Sequence, residues 1–475
     1  MNKNTGVPKV NFRALRMVDD KLSNEQQSYI KNLTKLYNDK TNLSKECVAS
    51  SKGQLCDWIN SLSFKLSLKE MIYPIISQSS SGAHFQDIDG NDYVDISMGY
   101  GSVFLGHNPQ YQKEAIKDQL ELGYELGPQL KLNSEVAELV CELTGVDRVA
   151  FCNSGSEAIM MAIRIARAVT GKKKVFIFRN SFHGTFDGVL GFTNSDGTFP
   201  ISPGTTNGTI EDLEVLEYGT AEAYDRIKEC IDECAAVLVE PVQSRKPDLR
   251  PVDFLTKVRD LTRENKAALI FDEVVTGFRL HSGGAQDLFK IKADLVIYGK
   301  SFGNGMPISA VAGRSEYMDA IDGGDWSFGD SSIPETDVIF YAGTFFKHPL
   351  SMAAAKAVLK ELKSTGNTHQ DRAGELTKRL CETLNEYFIT EKIPIEIKYY
   401  GSMFRFESFG EYALSLEPIE LELMFFNMIL RGVYTWERRI CYLSAAHTQA
   451  DIDIIINAVK ESITELRAGG FAFRG

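Results

Sequence analysis

The chain has 475 residues, 43% hydrophobic and 24% charged, a balance that builds packed globular domains rather than a fibrous or disordered chain. Its net charge of −12 and pI near 5.3 argue against a nucleic-acid-binding surface. Eight cysteines lie scattered without CxxC pairs or clustered histidines, so they read as reduced thiols and not as a disulfide frame or a metal site. The polar amino terminus and the lack of a long apolar run give no sign of export or of a membrane span, and the expected location is the cytoplasm.

In chain order, residues 1–20 carry no strong pattern. From Ser23 a helix is predicted: Ser23 and Gln26 fit a capping box, and Tyr29, Leu33 and Leu36 keep helical spacing. Residues 21–70 hold eight lysines against five acids (8 − 5, a local +3), either a solvated helical face or a docking surface for an acidic partner, with Lys31, Lys35 and Lys40 in front. His84 to Ile96 reads as a hairpin about Asp89-Gly90-Asn91. From about Gln129 to Leu362 short apolar runs alternate with helical stretches, the rhythm of a mostly parallel α/β sheet covered on both faces. The expected division is a mainly helical extension over 1–70, the first part of a small domain over 71–128, a large sheet domain over 129–365, and the rest of a small α+β domain over 366–475.

Ligands of open α/β sheets bind outside the carboxyl ends of the strands. Five predicted strands each end in an unusual polar or glycine-rich step. Val149–Phe151 runs into Asn153-Ser154-Gly155-Ser156, and Val175–Phe178 into Asn180-Ser181-Phe182-His183-Gly184. Ala236–Val239 ends at Glu240-Pro241-Val242-Gln243, Ala268–Phe271 at Asp272-Glu273, and Leu295–Tyr298 at Gly299-Lys300. The first step, opening a helix, offers backbone N–H groups to a phosphate, though a serine N-cap alone would look the same. Asp272 at the tip of a buried strand needs a partner, for which a protonated ring nitrogen would serve. Lys300 entering a water-poor crevice would have its pKa lowered and become a nucleophile and base, whereas a lone strand-end lysine is an ordinary surface residue. Taken together, the five steps outline one crevice.

The stretches NSGSEAIMMAIRIAR, FHGTFDG, VEPVQSR, IFDEVVTGFR, YGKSFGNGMPISAVAGR and SAAHT stand in the order found in one family. The chain resembles the class III, glutamate-1-semialdehyde aminomutase-like aminotransferases dependent on pyridoxal 5'-phosphate. The resemblance implies the α/β fold type I, in which residues 129–365 bind the cofactor, and a homodimer. It implies that Lys300 holds the cofactor as a Schiff base and moves the proton, and that Asp272 pairs with the pyridine nitrogen. Ser154, Gly155 and Ser156 would surround the phosphate, with Thr344 reaching it from the partner subunit. Phe182 and Val274 would cover the two ring faces, Gln243 would contact the ring hydroxyl, and His183 and Glu240 lie in matching motifs.

Further stretches, EPVQSRKPDLRP, IDGGDWSFGDSSIPE and WERRICYLSAAHT, resemble the aminotransferase domains found with polyketide and nonribosomal peptide synthetases. That likeness implies an amino acid donor and a β-ketoacyl acceptor on an acyl carrier protein. The alternative is an aminomutase or a transaminase of a small free keto acid or aldehyde. No arginine occurs between Arg16 and Arg148, so the aminomutases' substrate-binding arginine has no counterpart around Tyr73-Pro74-Ile75-Ile76-Ser77. A small carboxylate substrate would want such a bidentate partner. Arg438, Arg439, Arg405 and Arg279 are candidates for the donor's carboxylate, and Trp436 for an acyl channel.

Overall fold

The computed structural model describes residues 22–57, 64–409, 419–435, 440–471 and residue 473. Trp436, Arg438 and Arg439 lie outside the described residues. The chain divides into two compact units, residues 101–105 with 109–372, and residues 1–100 and 106–108 with 373–475.

The larger unit is built on a seven-stranded sheet. Its strands are β1 (Arg148–Cys152), β2 (Lys174–Phe178), β3 (Leu213–Leu216), β4 (Cys234–Val239), β5 (Ala268–Glu273), β6 (Leu295–Tyr298) and β7 (Ser309–Gly313), in the order β1-β7-β6-β5-β4-β2-β3. Neighbours run parallel except around β7, which is antiparallel to both β6 and β1. All six residues of β4 and of β5 are buried, as expected of strands covered on both faces. The helix Gly155–Thr170 lays Ile159, Ala162, Ile163 and Ala166 into this core, the residues whose spacing predicted it.

The smaller unit holds a four-stranded sheet and a three-stranded antiparallel sheet formed by Ile395–Tyr400, Met403–Ser408 and Cys441–Tyr442. The predicted hairpin is present, with His84–Asp87 antiparallel to Asp92–Asp95. Its turn is tied by Asp87, whose carboxylate accepts the Asp89 and Asn91 N–H groups. Ser23 and Gln26 form the predicted capping box of the helix Asn24–Lys40.

Four expectations change. The helix buries Ile30, Leu33 and Tyr37, whereas Leu36 is 49% exposed and Tyr29 only partly covered, so the apolar stripe runs along a neighbouring line of the helix. The described part of the 1–70 segment does not stand apart, because these residues join the smaller unit's core beside Tyr73. Residues 109–128 group with the large sheet. Gln112, on the helix Gln110–Leu122, donates to the Gly303 carbonyl at 2.9 Å and accepts from the Asn304 amide at 3.0 Å, pinning that helix to the turn behind Lys300. Lys40 also leaves the lysine face proposed for docking, since its amine donates to the Leu430 carbonyl at 2.8 Å and lies over the Tyr93 ring. Among the described residues no helix is long and apolar enough to cross a membrane.

Candidate active site

Because β1, β2, β4, β5 and β6 run in one direction, their carboxyl ends share one edge of the sheet. There they enclose a cavity of about 380 Å³. Its walls include Ser154, Gly155 and Ser156 after β1, Phe182 and His183 after β2, Glu240 after β4, Asp272 and Val274 at the end of β5, and Lys300 after β6. Gln243 and Thr344 do not line it. Gln243 is fully buried nearby in the chain and donates to the Arg179 carbonyl at 2.9 Å, while Thr344 is exposed. Asn153, Ile159, Ser244 and the run Gly305–Ile308, all within the motif stretches, are further walls, as is Ser102, whose small side chain carries no chemical signature in the sequence.

Strand alternation separates two adjacent acids. Asp272 is 4% exposed and turns to the cavity, where His183 Nδ1 meets Oδ2 at 2.7 Å and the Val274 N–H donates to Oδ1 at 3.1 Å. Glu273 is taken up on the other side by the Ala285 and Gln286 N–H groups and the Thr276 hydroxyl, and burial pushes its carboxyl up to about 7. Glu240 is also buried. Burial first, and the Asp272 charge second, raise its pKa, and its two oxygens accept the Phe182 and Ser244 N–H groups.

Lys300 opens a short turn, Lys300–Phe302, with φ of 46°, left-handed backbone that a non-glycine residue adopts at a cost. Burial pulls its amine down to about 8, with nearby Arg279 adding to the shift and Glu240 and Asp272 opposing it. Arg279 itself is 1% exposed, donates to the Gly101 carbonyl at 2.7 Å and stacks over Phe104. Arg405 lies in the smaller unit, on the strand Met403–Ser408. Lys300 is the only lysine or arginine among the described cavity walls.

The first of the five strand-end steps is a helix start. Ser154 is the N-cap of Gly155–Thr170 with a full capping box to Glu157, so the plain N-cap role holds while Gly155 and Ser156 present the first helical N–H groups. The Ser156 hydroxyl accepts the Thr185 N–H at 3.0 Å. A side chain at Gly184, whose φ is 83°, would collide with Ser156, and one at Gly155 would press on Val274 at 3.0 Å. Two buried polar atoms, His183 Nε2 and Gln243 Oε1, have no hydrogen-bond partner among the described residues. A flat, polar, phosphate-bearing group fits this set: N–H groups and a hydroxyl at one end, a buried acid at the other, an amine within the cavity, and orphaned acceptor and donor atoms beside it.

The class III aminotransferase family matches residues 67–454. The chain belongs to that family. Similar class III relatives are glutamate-1-semialdehyde 2,1-aminomutases. That of Archaeoglobus fulgidus is 34% identical over 404 residues, covering 82% of this chain and 93% of the relative. That of Desulfitobacterium hafniense (strain DSM 10664 / DCB-2) is 34% identical over 443 residues, covering 89% and 98%. Among solved structures, a β-phenylalanine aminotransferase from Variovorax paradoxus superposes with a TM-score of 0.79 at 26% identity, covering 93% of this chain and 98% of that one. A transaminase with pyridoxal phosphate bound superposes with the same TM-score at 24% identity, covering 91% and 99%, and bears on the fold alone. The protein is thus a class III aminotransferase of the fold type I architecture, and pyridoxal phosphate is its cofactor.

Proposed function

We propose that this aminotransferase moves an amino group from an amino acid donor to the keto group of an acyl chain that carries no free carboxylate near the reacting carbon, as a β-ketoacyl chain on an acyl carrier protein would. The observation that carries the reading is the cation content of the larger unit's cavity walls. Among the described walls Lys300 is the only lysine or arginine, Arg279 is bonded to a backbone carbonyl, and Ile159, Val274, Met306 and Ile308 make much of the rest apolar. A neutral thioester suits such walls better than a small free carboxylate does.

Bound pyridoxal phosphate supplies the electron sink for the carbon that bears the amino group. Lys300, with its amine kept substantially neutral near pH 8 by burial, would attach it and then take and return the proton at that carbon. Asp272, oriented by His183, would hold a positive charge on the ring nitrogen. Gly155, Ser156 and their helix start would hold the phosphate, and Phe182 and Val274 would exclude water from the two ring faces. Thr344 would complete the phosphate site from a second copy of the chain, and Lys31 and Lys35, both exposed, would face an acidic carrier.

The relatives favour a second reading, an aminomutase or transaminase of a small free substrate. The curated relatives named above are glutamate-1-semialdehyde aminomutases and are matched over more than nine-tenths of their length. This reading has the more direct support from kinship, and the carrier-linked one the better match to the missing arginine. One assay separates them. Cofactor-loaded enzyme is first reduced to the amino form with each common amino acid, then offered glutamate-1-semialdehyde, free β-keto acids and β-ketoacyl thioesters on a carrier or a short pantetheine mimic. Turnover of the thioesters at least about tenfold above the free acids supports the first reading. The reverse preference replaces it with the second.

A further inference from the structure

The turn after β2 is fastened to the site at three points. The Phe182 N–H donates to Glu240 at 3.0 Å, His183 meets Asp272 at 2.7 Å, and the Thr185 N–H donates to Ser156 at 3.0 Å. These bonds fix the backbone and the neighbouring side chains, yet the Phe182 side chain that they carry remains 53% exposed. Over its ring lies the guanidinium of Arg245, 5.7 Å from the centroid. One buried carboxylate brings the two together. Glu240 accepts the Phe182 N–H on Oε2 and, at 3.3 Å on Oε1, the N–H of Ser244, the residue next to Arg245.

We propose that Arg245 is a positioning residue for the cofactor: its guanidinium, placed over one face of Phe182, holds the ring so that the other face covers the pyridine ring of pyridoxal phosphate. The inference rests on the reading that Phe182 covers the cofactor. A planar guanidinium suits this better than a lysine, because it stacks in parallel with an aromatic face while its edge stays hydrated. The mouth of the cavity thereby gains an ordered lid without burying another charge.

The test is a double-mutant cycle on cofactor binding, read as the dissociation constant of pyridoxal phosphate from the apoprotein and as the visible circular dichroism of the bound cofactor. Arg245→Ala should raise the dissociation constant about two- to fivefold, the range expected of a solvent-exposed cation on an aromatic face, and should weaken the visible dichroic band. In a Phe182→Ala background the same substitution should change neither. Arg245→Lys should restore part of the dichroism. Two results would overturn the proposal: no effect of Arg245→Ala where Phe182→Ala weakens binding, or an equal effect of Arg245→Ala in both backgrounds. If Phe182→Ala leaves cofactor binding intact, the covering role of Phe182 fails and the proposal falls with it. A visible lysine-bound band and amino transfer would still stand in that case, so the two failures are distinguishable.

Discussion

Lys300 has to be uncharged to attack a carbonyl, and ordinary lysine is not, with a reference value of 10.5. The fold lowers it by withdrawing the amine from water, to about 8. The sign is that of a base losing its proton more readily, so the neutral amine becomes the majority form at a lower pH than in a surface lysine. The rate at which apoprotein takes up pyridoxal phosphate, followed by the growth of the visible band, should therefore climb with pH, reach half its maximum near pH 8 and level off about a unit above that. A rate still climbing beyond pH 10 would contradict the burial argument. In the proposed function Asp272 would make a different contribution, as the partner of the ring nitrogen. Asp272→Asn should leave the lysine-bound band in place while slowing the half-reaction with an amino acid by about 10²–10³-fold, the usual loss when one preorganised charge partner is removed. Equal rates for the two proteins in single-turnover absorbance measurements would remove Asp272 from that role.

Among the elements, the β2 turn and the helix start after β1 depend on each other. Gly184 takes a left-handed φ of 83° directly against Ser156, and the Thr185 N–H donates to the same serine's hydroxyl. Gly184→Ala adds a side chain where none fits and places it in backbone that costs about 1–2 kcal/mol for a non-glycine residue. Its melting temperature should fall, and its affinity for pyridoxal phosphate should fall more than that of a surface glycine variant such as Gly208→Ala, where a side chain meets nothing. Both are read by thermal melts with and without cofactor. The five strand-end steps were legible in the sequence because each interrupts an apolar run with residues that a buried strand does not otherwise tolerate. Two strands of the same sheet were not. Leu213–Leu216 at the sheet edge alternates as Leu-Glu-Val-Leu over only four residues, and Ser309–Gly313 is built of small side chains that carry no β signature.

On the scale of the whole molecule, residues 326–345 present apolar side chains to solvent. Phe328 is 92% exposed, Phe340 81% and Ile333 66%, more than an isolated surface tolerates without a covering partner. Thr344, expected at a neighbouring copy's phosphate, lies in the same stretch and is itself exposed. The stretch is held to the helix Gly155–Thr170 by Arg164, which donates to the Phe340 carbonyl at 2.6 Å. On the proposal that two copies pair through this stretch, Phe340→Glu should shift the protein toward monomer in sedimentation velocity, with cofactor affinity falling in parallel as Thr344 is withdrawn. A dimer of unchanged stability would place the pairing surface elsewhere.

The sequence by itself determined the chemistry at the strand ends. Short apolar runs, a helix start rich in small polar residues, an acid and a lysine each at a strand tip are local signals, and they are enough to place an α/β crevice lined by that helix start, the acid and the lysine. What only the tertiary structure decided concerns groups whose meaning depends on distant partners. Arg279 reads as a free cation until the Gly101 carbonyl is seen to hold it, and Lys40 likewise until Leu430 is seen beneath it. Glu240 reads as one strand-end acid among several until its two oxygens are seen to join the Phe182 and Ser244 turns. Neither side of such a pair contains the distance between them, because hydrogen bonds and stacking are fixed by how the chain returns on itself.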